Sequence, residues 1–316
     1  MEDTSITKWF PALIYELPKR EENIILKLFG KVFALNVFLS IIAALVLGKG
    51  EEAAFFKESE FGGSAAFLNL IIFLSIVILY TLLIYLFIKM KKFNILEILG
   101  ITLLAFLSGS IASIIIPIWL YIIAFIIANG FNAYFILNVI EFLFGYIIII
   151  IFVFFFIMQI LVLVSTKFVR YRNIMLLTTV SWSGVLLGLY TGFLTPIIVM
   201  FGFAIYDIYA VFKGPLKKIT HELEGMIKPT VNHEKRSIFI LGLGDIFFYS
   251  MAIAYSLVYF GLITFVFVVI ALGIGVIITL KILLKAVLKH RGRELPALPL
   301  PIFLALAVIC VSYLLL

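Results

Sequence analysis

Residues 238–280, IFILGLGDIFFYSMAIAYSLVYFGLITFVFVVIALGIGVIITL, carry one charged side chain, Asp245. At about 20 residues per crossing, the run is long enough for two membrane helices. Its segment Gly242-Leu243-Gly244-Asp245 places a carboxylate where insertion of an Asp costs about 2.5–3.5 kcal/mol. A second such acid, Asp207, preceded by Tyr206, stands in the apolar stretch upstream. Ionisable groups at this depth mark a functional site by default, and each Asp is the other's natural partner.

Working outward, the rest of the chain has the same character. It has 316 residues, 65% of them hydrophobic and only 13% charged. Mean hydropathy is +1.26. Soluble domains carry about 25% charged residues. These figures indicate a polytopic membrane protein with the lipid bilayer as its solvent; an all-α fold, multi-pass in the cell membrane, is expected. The net charge of +7 does not point to nucleic acid, because the basic residues cluster in the short gaps between apolar runs, as membrane topology requires. The single cysteine, Cys310, has neither a disulfide partner nor metal-binding companions. No metal or cofactor is expected.

The spacing of Ile6, Trp9, Phe10, Leu13, Ile14 and Leu17 predicts a helix over 5–18 lying in the membrane interface. Membrane spans are expected at about 26–47, 66–88, 95–127 and 139–166. Two more divide 173–212 with a turn near Tyr190–Pro196, two divide 238–280 with a turn near Tyr259–Gly261, and the last runs from Leu300 to Leu316. Parity sets the count, because Lys89–Lys92 and Lys167–Arg172 flank a region that must cross an even number of times. Nine helices leave all but Lys49 and Lys57 of the 24 basic residues on the N-terminal side. The N-terminus is thus expected in the cytoplasm and the C-terminus outside. Residues 1–316 read as one membrane-embedded domain, with an interfacial or cytoplasmic segment at 1–25, the acid-bearing helices within 192–258, and a last segment at 294–316.

In this arrangement Asp207 lies six residues before Lys213 and Asp245 nine after Arg236. Both acids then sit roughly 9–14 Å below the cytoplasmic boundary, at 1.5 Å per residue. Neighbouring carboxylates share a proton and titrate as a pair, one serving as base and the other as acid. That equips a site to attack an amide with water. Gly242 and Gly244 let a neighbouring backbone approach, as small residues do in membrane packing. Pro296-Ala297-Leu298 precedes the last span, and its proline favours extended backbone with unpaired groups. Residues 294–298 are expected to bind an unwound substrate by strand addition, although a simple helix start accounts for the same residues.

The ordered set Tyr206-Asp207, Gly242-Leu243-Gly244-Asp245 and Pro296-Ala297-Leu298 resembles the intramembrane aspartyl proteases of the presenilin and signal peptide peptidase group. The wording IYDIYAVF, LGLGDIFFYS and LPALPLPI looks like the presenilin branch, with weaker likeness over about 66–110. The resemblance implies nine presenilin-like helices, Asp207 and Asp245 as catalytic residues, and Tyr206, Gly242, Leu243, Gly244, Pro296, Ala297 and Leu298 in supporting or substrate-binding roles. It implies transmembrane proteins as substrates. The link 214–236 lacks the long insertion that animal presenilins cut during maturation. Size and composition are closer to archaeal presenilin homologues, for which no accessory subunits are expected; a homo-oligomer is left open. Zinc and serine intramembrane proteases are excluded by residue type, since His221, His233 and His290 all lie in links. The rival from another class is a proton- or cation-coupled transporter using the two acids as a relay, although the chain shows no matching halves.

Overall fold

In a computed structural model the described residues are 13–17, 22–48, 55–90, 92–128, 133–165, 169–214, 237–289 and 296–315. Within lipid every backbone N–H and C=O must be satisfied inside its own segment, so the apolar runs form helices. These are α1 (Glu22–Leu47), a short α2 (Glu58–Phe61), α3 (Gly63–Lys89), α4 (Phe93–Ala128) and α5 (Ala133–Val164). There follow α6 (Val169–Tyr190), α7 (Leu194–Phe212), α8 (Leu243–Lys289) and α9 (Pro299–Leu315). Seven of them are long and apolar enough to cross a membrane, and α9 is apolar but shorter. The protein is therefore an α-helical polytopic membrane protein.

The expected breaks fall where the backbone can bend. α8 is two helices joined at Gly261, whose φ of 82° and ψ of −176° no helix contains. α6 and α7 are separated at Thr191–Phe193, with Gly192 at φ 94°. The first half of α8 runs through the bundle centre: Ile246 and every residue of Phe248–Ser256 are buried. Around it pack Val32 of α1, Leu177 and Val180 of α6, Met200 and Phe203 of α7, and Ile302 and Ile309 of α9. The outer surface is apolar as well, with Leu262, Ile263, Phe67 and Leu161 exposed, as suits a surface solvated by acyl chains rather than water.

Two expectations are corrected at the N-terminal side. Leu13–Leu17 is not part of an interfacial helix but a strand, β1, paired antiparallel with β2 (Ser237–Leu241), Leu13 opposite Leu241 and Leu17 opposite Ser237. Pro11 and Pro18 bracket this run, leaving too few residues to nucleate a helix. Its backbone completes its hydrogen bonds across a ladder instead. The same pairing delays the seventh apolar helix, expected from 238, until Leu243. α1 starts at Glu22, inside the segment assigned to 1–25. The remainder of that segment, the link at 215–236 with its histidines, and residues 290–295 lie outside the described residues.

Candidate active site

α7 is positioned from its N-terminus. Glu58 of α2 reaches across to this end, where Oε2 accepts from the backbone N–H groups of Phe193 and Leu194 at 2.9 and 2.8 Å. Its Oε1 accepts from Thr195 N and from Thr195 Oγ1. A carboxylate at a helix N-terminus satisfies donors with no intrahelical partner and meets the positive end of the dipole. Asn69 of α3 locks the corner, exchanging hydrogen bonds with Phe56 N and O at 3.0 and 2.9 Å and donating to Thr195 Oγ1. From here α7 runs about 20 Å, at 1.5 Å per residue, to Asp207.

α8 is positioned from its flank. Gly184 and Gly188 of α6 face it so closely that a Cβ on Gly184 would strike the Phe247 carbonyl, and one on Gly188 would come within 2.9 Å of the Met251 carbonyl. Just beside them, Asn36 Oδ1 of α1 accepts from Ser181 Oγ of α6 at 2.6 Å and from Ser250 Oγ of α8 at 2.7 Å. Tyr255 donates to the Phe193 carbonyl at 2.8 Å, tying α8 to the start of α7.

The two helices then part around a cavity of about 410 Å³. Asp207 and Asp245 both line it, together with Tyr206, Gly244 and Leu298, and the remaining wall is apolar, including Phe73, Val77 and Phe248. Leu298 N donates to Asp207 Oδ2 at 3.3 Å, so the segment entering α9 meets the first acid directly.

The remaining predicted residues divide by position. A Cβ on Gly242 would come 2.9 Å from Asp245 Oδ2, so this glycine leaves room for the carboxylate. Beyond its own turn of helix, Gly244 has none of the described residues within 4 Å of such an atom and borders open cavity, where a neighbouring backbone was expected. Leu243 packs against the core instead of lining the cavity. Pro296 and Ala297 precede Leu298 in a bend and are not part of the cavity wall. The expected extended strand over 294–298 is not seen at Ala297 and Leu298, which lie in a bend, while Pro296 is in no regular element. Leu298 opens the first turn of α9, its carbonyl accepting from Ile302 N and its N–H already engaged by Asp207; 294 and 295 lie outside the described residues.

Three supports went unread in the sequence. Gly184 and Gly188 have the small-xxx-small spacing of a packing face, a legible signal. Glu58 was one acid among four in a polar link, and Asn36 one polar residue in an apolar span, with nothing local to single them out. Among the described residues no three His, Cys, Asp or Glu side chains cluster as a metal site would. No protein-family model matches the chain, and no curated protein matches it.

Proposed function

We propose that this chain is an intramembrane aspartic endopeptidase of the presenilin type, hydrolysing peptide bonds within the membrane helices of substrate proteins. The observation that carries the reading is the shared cavity: two acids on separate, otherwise apolar helices wall one space. In the proposed reaction one carboxylate takes a proton from water as its oxygen bonds to the scissile carbonyl carbon. The other, protonated, gives its proton to the carbonyl oxygen, forming a neutral gem-diol. Collapse breaks the C–N bond: the nitrogen takes the proton held by the carboxylate that activated water, one gem-diol hydroxyl returns its proton to the other carboxylate, and the acid and amine ends leave with the pair restored.

The proposal includes topology. With α8 counted as two crossings at its Gly261 break, and α9 as one, the spans number nine, the N-terminus is cytoplasmic and the C-terminus outside. Labelling of single cysteines checks this after the exposed Cys310 is replaced. Thr230→Cys is expected to react from the cytoplasmic side and Ala54→Cys from outside.

The deciding experiment incubates detergent-purified protein with a single-span model substrate and identifies products by mass. The wild type is expected to cleave within the apolar span. Asp207→Asn and Asp245→Asn are each expected to abolish cleavage at an unchanged thermal midpoint. Substantial proteolysis by either variant refutes the dyad. Proton or cation flux in liposomes without any product selects the relay reading instead.

A further inference from the structure

Besides the two carboxylates, the cavity wall carries one more polar side chain, Tyr206. Its ring stands edge-on to Phe203, with centroids 6.3 Å apart. Its hydroxyl is buried and has no hydrogen-bond partner among the described residues. Leaving such a group unpaired costs about 1–3 kcal/mol, and native proteins do so rarely. A phenylalanine in the same place would avoid that cost, so the hydroxyl is kept for something absent from the resting chain.

We propose that the Tyr206 hydroxyl is a catalytic hydrogen-bond donor to the scissile carbonyl oxygen of the substrate. This rests on the protease reading and assigns a third group to the same site. The chemistry of the dyad leaves a place for it. When water adds to the carbonyl carbon, negative charge develops on the carbonyl oxygen before the acid's proton is fully transferred, and a fixed donor in a dry cavity stabilises that charge. Both Asp side chains are occupied in moving protons, and the backbone N–H of Leu298 is bonded to Asp207. Tyr206 is the one cavity-lining group with an uncommitted O–H, and it adjoins Asp207 in sequence, so the donor and one member of the dyad move as a unit on α7. The phenol keeps its own proton throughout, so the proton balance of the hydrolysis is unchanged.

The test is Tyr206→Phe, which deletes one oxygen atom and keeps the ring. Steady-state cleavage of the single-span substrate is measured beside the thermal midpoint and the affinity for a peptide carrying a hydroxyethylene group in place of the scissile amide. Deleting a dedicated oxyanion donor costs roughly 10²–10³ in kcat. Because the acid shares the same oxygen here, the expected fall is about 10–100-fold in kcat with KM within twofold. The hydroxyethylene peptide is expected to bind about tenfold or more weakly, and the thermal midpoint to stay level or rise, since an unpaired hydroxyl has been removed. Wild-type kcat, or a loss confined to KM, overturns the proposal. So does loss of the folded state, because a hydroxyl with no partner in the folded chain holds nothing together. A wild-type protein that cuts nothing refutes the protease reading itself. A wild type that cuts and a Tyr206→Phe variant that cuts equally well refute only the role of Tyr206.

Discussion

α8 meets two of its neighbours, α6 and α7, in opposite ways. Toward α6 it is packed to backbone contact, with the glycines of one helix lying against the carbonyls of the other. Toward α7 it makes fewer contacts, among them Phe203 against Phe248 with ring centroids 5.0 Å apart, and the space between holds the two acids. Each acid-bearing helix also has supports of its own. α7 is fixed by Glu58 at its N-terminus, α8 by the α6 contact and Asn36, and the two are tied at the end remote from the acids by Tyr255. A cavity survives in a bundle packed at crystal-like density only if something other than direct packing sets the spacing of its walls. Small residues serve both sides, giving their space to a neighbour at Gly184 and leaving it empty at Gly244.

The contact side breaks first. Gly184→Ala puts a Cβ against the Phe247 carbonyl, a backbone atom that cannot swing aside. Overpacking of this kind costs about 1–3 kcal/mol. The variant is expected to show a clearly lowered thermal midpoint in detergent and reduced cleavage, since Phe247 lies two residues beyond Asp245. An unchanged midpoint would mean that α6 does not set the position of α8.

The capping side comes next. Glu58→Ala removes the acceptor for three backbone N–H groups at the start of α7, and losing a cap costs about 0.5–2 kcal/mol. Glu58→Gln, which keeps an acceptor oxygen but no charge, is expected to fall between wild type and Glu58→Ala in the thermal midpoint. If Gln destabilises as much as Ala, the dipole interaction outweighs the hydrogen bonds. If neither variant changes the midpoint, the spacing of the cavity walls has another cause.

What was legible in the sequence follows the same division. Apolar length and charge parity placed the helices, because the bilayer enforces helical backbone and penalises charge without reference to tertiary context. Asp207 and Asp245 were legible for the same reason, each conspicuous in an apolar run. The elements that set the geometry were not. Glu58 is distinguished only by the α7 terminus it reaches, 135 residues away in sequence. β1 pairs with β2 across more than two hundred residues, and no local pattern in LIYEL predicts a partner at that distance. The helical spacing at 5–18 was real, but over Leu13–Leu17 it lost to the flanking prolines and to that ladder. That the Tyr206 hydroxyl lacks a partner among the described residues was not legible either, because a sequence gives the position of a hydroxyl and not whether it is satisfied.

The smallest expected effect on stability tests the empty side of the comparison. Gly244 is the second residue of α8, and a Cβ there meets nothing within 4 Å. Gly244→Ala therefore creates no clash, and alanine is the better helix former by about 0.8–1.0 kcal/mol in a helix interior. At this first turn the gain shrinks, and the thermal midpoint is expected to stay level or rise slightly. The added methyl projects into the cavity beside Asp245, where a substrate backbone must come close to the carboxylates. Cleavage is expected to suffer chiefly through a higher KM, by several-fold, while the folded protein loses nothing. The same Gly-to-Ala change would then act on the fold at 184 and on the substrate at 244. A fall in the midpoint at 244 would show that the space belongs to the chain in some other conformation, and a wild-type KM would show that substrate does not approach α8 from this side.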